Sequence, residues 1–132
     1  MTPHIVPIYA ALLGLIFVTL SGRTVRLRRQ LRISLGHAGD ERMLRATRAH
    51  SNFAEYVPMA LLLFFFVEAG GGAPWLVHSL CATLVVGRLA HALGVSRVPE
   101  WRMGRALGLV LTIVPIVVAA MLLLWSSLQA GP

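Results

Sequence analysis

Arg48-Ala49-His50-Ser51-Asn52-Phe53-Ala54-Glu55-Tyr56-Val57-Pro58 runs without a break into Met59-Ala60-Leu61-Leu62-Leu63-Phe64-Phe65-Phe66-Val67, and the fold turns on how this stretch is read. Its second half is an apolar run; its first half is polar on one side only. With Arg45 added, the polar residues Arg45, Arg48, Asn52, Glu55 and Tyr56 recur at separations of three or four, apart from the final adjacent pair, so they share one face of a helix. At 1.5 Å per residue the column is about 15 Å tall. A charge at the centre of a bilayer span costs roughly 2.5–3.5 kcal/mol, and more without partners. Glu55 is therefore expected to face protein and to pair with arginine on its own or a neighbouring helix. Pro58 stands where the helix enters the apolar run and can bend it, freeing a carbonyl. A structural ion-pair network joining helices at the membrane surface is the simplest use of such a column; a ligand site is the other.

Working outward, the whole chain shares the character of this segment. Its 132 residues are 57% hydrophobic and 13% charged, with mean hydropathy +0.75, whereas soluble domains carry about 25% charged residues. Four spans of about 20 residues would use up most of the length and leave no room for a separate soluble domain. The spans are expected at about 5–22, 44–69, 75–95 and 102–125, giving an all-α, integral membrane four-helix bundle as a single domain over 1–132. Helix two should begin near Arg42, after the flexible Ser34–Asp40 segment, with Asp40-Glu41 at its positive end. Gly70-Gly71-Gly72-Ala73-Pro74 marks a tight break beside Trp75, an interfacial anchor. Pro115 predicts a local bend in helix four. The N-terminal apolar run has no basic stretch before it and no small-residue cleavage site after it, so it reads as a retained span.

The net charge of +7 comes from arginine alone among basic side chains, in two blocks between apolar runs. Eight arginines lie between the apolar runs of spans one and two, and Arg97, Arg102 and Arg105 lie at or beside the turn between spans three and four. Blocks that flank spans follow the positive-inside rule and argue against nucleic-acid binding. Both loops are expected to face the cytosol, with both termini on the opposite side. The single cysteine, Cys81, excludes an intrachain disulfide and reads as a small buried hydrophobe. His4, His37 and His78 have no partner pattern, Glu68 reads as an interfacial carboxylate, and no ligand-spaced cluster suggests a metal.

The helix-two segment resembles the signature of the membrane-associated proteins in eicosanoid and glutathione metabolism, the MAPEG family: an arginine, an asparagine four on, a glutamate three further, then a proline. Gly87-Arg88-Leu89-Ala90-His91 is similar to the family's third-helix motif, and the arginine-rich first loop and four-span length match as well. The resemblance implies a homotrimer binding one glutathione between adjacent subunits near the cytosolic side. Arg45, Arg48, Asn52, Glu55 and Tyr56 would then hold the tripeptide, with guanidinium forks on its two carboxylates and Glu55 on its α-ammonium group. His50 is either a further ligand or a headgroup-layer histidine. Arg88 and His91 would contact the same ligand; Val95 stands where many relatives carry a tyrosine. An arginine at the start of helix four would hold the sulfur as thiolate, and Arg102 and Arg105 compete for that role, with Arg102 narrowly favoured.

The function implied is a glutathione-dependent membrane enzyme, acting on a lipophilic small molecule that enters from the membrane lipids. It would conjugate glutathione to electrophiles or reduce lipid hydroperoxides. A non-catalytic lipid- or thiol-binding or scaffold membrane protein on the same fold is the alternative. Abundant alanine and arginine without lysine suggest a bacterial inner membrane.

Overall fold

Four helices make up the chain: α1 (Ile5–Leu31), α2 (Glu41–Ala69), α3 (Pro74–Ser96) and α4 (Arg102–Gln129). The structure, a computed structural model, describes residues 2–129. Each helix is long and apolar enough to cross a membrane, and the described residues contain no strand. The protein is an all-α integral membrane bundle.

α1 continues well past the apolar stretch. Arginine is a good helix former, and Arg28 and Arg29 in the last turn suit the negative end of the helix. The helix stops where Arg32 adopts a left-handed conformation (φ 54°, ψ 37°). There the Ile33 N–H returns to the Arg28 carbonyl at 3.0 Å. At 27 residues, α1 is about 40 Å long against a hydrocarbon core of about 30 Å, so its last turns stand in the headgroup layer. α2 starts on Asp40, whose carboxylate accepts the Met43 N–H at 3.0 Å. The Asp40 carboxyl is held below its usual range, first by the hydrogen bond from Arg42 and then by that from Met43. α2 passes through Pro58 and α4 through Pro115 without interruption. Pro58 is outward-facing and Pro115 is buried.

α2 and α3 form the centre of the bundle. α1 packs on both from one side, α4 packs on both from the other, and α1 and α4 do not touch. The core joins Leu13 of α1, Phe53 and Phe64 of α2, Val77, Cys81 and Leu84 of α3, and Ala119 of α4. Arg45 of α2 donates to the Val95 carbonyl near the end of α3, and Arg23 of α1 donates to Ser96. The two arginine-bearing loops therefore lie at one end of the bundle.

Two features of this packing escape the sequence reading. α3 and α4 meet backbone to backbone along Gly87, Gly94, Gly104 and Gly108. A Cβ on Gly108 would lie 2.6 Å from the Gly87 carbonyl oxygen and 2.7 Å from the His91 Cα. Gly87 and Gly94 on α3 and Gly108 on α4 permit this approach, as small residues do in other membrane helix pairs, while the bare Cα of Gly104 makes room for the Trp101 ring. Gly108→Ala is expected to destabilise the bundle by about 1–3 kcal/mol, seen as a lower melting temperature in detergent. Gly14→Ala, where a Cβ meets nothing within 4 Å, should leave it unchanged. At the opposite end, Glu68 of α2 is an N-terminal cap for α1. Its carboxylate accepts backbone N–H groups from His4 at 2.7 Å, Ile5 at 2.6 Å and Val6 at 2.8 Å. Glu68 lies at the end of α2, as expected, and is buried there by this capping.

Candidate functional site

The polar face of α2 opens onto a cavity of about 560 Å³ between α2, the end of α3 and the start of α4. Arg45, Arg48, Asn52, Glu55 and Tyr56 all line it, so the helical spacing read from the sequence becomes one continuous wall. His91 from α3 and Arg105 from α4 line it from the other side. The remaining lining includes Glu41, Ser51, Val95, Glu100 and Leu109.

Behind this wall lies Arg88, which is fully buried. One terminal nitrogen donates to the Asn52 side-chain oxygen at 2.8 Å, and the other reaches the Thr112 hydroxyl at 3.4 Å. Its guanidinium carbon stands 5.8 Å from the ring centroids of both Phe53 and Tyr56, a distance at which a cation is attracted by the ring faces. Among the described residues Arg88 belongs to no ion pair. Its Nε and the His91 Nδ1 are buried without a hydrogen-bond partner. Unsatisfied buried polar atoms are costly; of these two, only the His91 side chain lines the cavity. Because Asn52 spends its oxygen on Arg88, its amide NH2 is left to donate into the cavity.

The cavity holds three guanidinium groups and three carboxylates, unequally engaged. Arg45 is paired with Glu41 at 2.6 Å. Arg105 is paired with Glu100 at 2.6 Å. Arg48 and Glu55 make neither ion pair nor side-chain hydrogen bond among the described residues. Seven residues apart on one face, they present a free cation and a free anion about 10 Å apart along the helix axis. A small zwitterion of that length, with a carboxylate at one end and an ammonium at the other, complements such a wall.

Three predicted residues do not line the cavity. Arg88, expected to contact the ligand, is fully enclosed behind Asn52. His50 is on the α1 side of α2, where its Nε2 is 2.9 Å from the Ser21 hydroxyl and its ring stacks on Phe17 with centroids 4.9 Å apart. Arg102 is exposed and outside the cavity lining. Three residues further on, Arg105 has turned inward enough to reach Glu100 and the cavity. Glu41 was legible in principle, since it extends the polar column by one more step of four. Glu100 was not: it comes from a loop, and only the α3–α4 hairpin brings it to the cavity mouth.

Four helices long and apolar enough to cross a membrane, three of them enclosing a polar, charge-lined cavity at the arginine-rich end, define an integral membrane bundle. The sequence model of the MAPEG family matches residues 6–125, and the chain belongs to that family. The inner membrane protein YecN of Escherichia coli, in two strains, is 38% identical over 96 residues, which cover 72% of this chain and 73% of YecN. No solved structure matches significantly.

Proposed function

We propose that the cavity binds glutathione, or a thiol peptide of the same charge pattern, and that the protein joins its sulfur to lipophilic electrophiles or uses it to reduce lipid hydroperoxides. The observation that carries this reading is the free pair Arg48 and Glu55 facing a cavity that Arg105 also reaches. Arg48 takes a peptide carboxylate through a two-pronged hydrogen bond, and Glu55 takes the α-ammonium group. Asn52 donates its amide to the peptide, with Arg88 holding that amide in place; His91 completes the wall. The volume suits a drug-sized ligand. Arg105, rather than the exposed Arg102, is assigned the sulfur. A free thiol with pKa near 8.5 is mostly protonated at neutral pH, and a guanidinium beside it favours the nucleophilic anion. Apolar substrates arrive laterally from the bilayer, and the water-soluble peptide arrives from the cytosol, so a site at the boundary serves both. The inner membrane of a bacterium, cytosolic placement of the arginine-rich loops, and assembly as a homotrimer belong to the same proposal.

The test is optical. Thiolate absorbance should appear when glutathione is added to the purified protein. Binding without thiolate would instead favour a non-catalytic binding protein on the same fold, and no binding would leave only a structural role for the polar column. Glu55→Gln keeps shape and removes charge; it should weaken glutathione about tenfold or more by calorimetry, and unchanged affinity would remove Glu55 from the site.

Glu100 competes with the ligand for Arg105. Its carboxyl is held below the usual range, first by the hydrogen bond from Arg105. A lowered pKa means the pair is complete above the ordinary carboxylate range and is lost only as pH falls through the lowered value. Between pH 5 and 8 the pair contributes no pH dependence. Glu100→Gln should therefore tighten glutathione about two- to fivefold at neutral pH, the range expected for an exposed ion pair, and weaker binding would show that Glu100 assists the ligand instead.

A further inference from the structure

A second polar cleft lies on the other side of the bundle end, away from the cavity. It holds about 220 Å³ and is walled by three elements: Arg23 and Arg26 from the extension of α1, Arg42 from the start of α2, and Ser96 and Val98 from the end of α3 and the loop after it. Three guanidinium groups share this space and no carboxylate lines it. The nearest acid, Asp40, already accepts from Arg42 at 3.0 Å and from the Met43 N–H at 3.0 Å. Arg23 is steadied by donating to Ser96. Arg26 makes no side-chain hydrogen bond or ion pair among the described residues.

We infer that this cleft seats the phosphate group of an anionic phospholipid. Asp40 offsets Arg42 alone, so Arg23 and Arg26 bring two like charges into the cleft with no carboxylate of their own, and an anion seated there would relieve their repulsion. Depth selects which anion: about 20 residues span the hydrocarbon core, so α1, starting at Ile5, leaves it near Arg23. The three guanidinium groups that share the cleft therefore fall at the level of lipid phosphates. Val98, 62% exposed, adds an apolar patch against which the glycerol and upper acyl segment can lie. A volume of this size admits a phosphodiester head but not a peptide, which separates it from the cavity on the α2–α4 side. General attraction of basic loops to an acidic leaflet would treat all arginines alike; a cleft built from three elements does not.

Native mass spectrometry of the intact protein released from detergent tests this, with phosphatidylglycerol, phosphatidylcholine and inorganic phosphate as separate probes. Phosphatidylglycerol should be retained and the other two should not. Arg26→Gln should weaken retention about tenfold, as for loss of one charge-assisted contact, while Arg97→Gln, which removes the same charge outside the cleft, should leave it unchanged. Circular dichroism of each variant keeps the comparison to folded protein; if Arg26→Gln fails to fold, Arg23→Gln gives the same reading. Equal losses in the Arg26 and Arg97 variants, equal retention of the two lipids, or displacement of phosphatidylglycerol by inorganic phosphate would overturn the inference.

Discussion

Arg105→Ala is expected to abolish thiolate absorbance on addition of glutathione and to lower turnover of a lipophilic electrophile about 10²–10³-fold, the cost of removing one preorganised charge-stabilising donor from a reaction site. Arg105 is the α4 arginine that reaches the cavity, and its exposed guanidinium contacts Glu100 rather than any core group. Its removal should therefore leave the fold intact, and the melting temperature should stay within about 2–4 °C of the parent protein, the shift expected for a surface-level change. Arg102→Ala, three residues earlier and outside the cavity, should keep both the absorbance and the turnover. The reverse pattern would move the sulfur to Arg102 and mean that the site is completed by surfaces one copy of the chain does not supply. Full activity in both variants would remove α4 from the chemistry.

Glu68→Ala is expected to cost about 3–5 kcal/mol, the range for stripping the charged partner from several buried groups at once. An α-helix leaves its first N–H groups without partners, and here one carboxylate takes those of His4, Ile5 and Val6. Ile5 and Val6 are buried, so water cannot substitute fully when the carboxylate is gone. The loss is measured as a fall in the unfolding midpoint in a detergent and denaturant titration. Glu68→Gln retains an acceptor oxygen but turns an NH2 toward backbone donors, and it should fall between the parent and the alanine variant. Both substitutions lie at the end of the bundle away from the cavity, so glutathione affinity of the protein that remains folded should not change. An alanine variant as stable as the parent would show that α1 is held by its apolar contacts alone.

How much of this was visible beforehand differs between the fold and the site. Hydropathy alone announces four spans, because a stretch such as Val57–Val67 has no stable place except lipid or a core too large for this chain. Helical spacing likewise announces the wall formed by Arg45, Arg48, Asn52, Glu55 and Tyr56, since residues three and four apart face the same way wherever the helix goes. Spacing could not say which face His50 occupies, and it lies against Ser21 and Phe17 of α1 rather than in the cavity. Nor could it choose between Arg102 and Arg105, since the choice depends on how α4 is rotated against α3.

That rotation is set by Gly87, Gly94 and Gly108, which allow contact closer than any side chain would permit. The sequence by itself determined that the chain lives in a membrane, how often it crosses, and which helix face is polar; these follow from transfer free energy and helical period, both local quantities. Tertiary structure alone decided that Glu68 caps a helix beginning more than sixty residues away, that Glu100 meets Arg105, and that Arg88 is enclosed behind Asn52. Each of these depends on two helices meeting at a particular height and rotation, which close packing fixes and no single segment encodes.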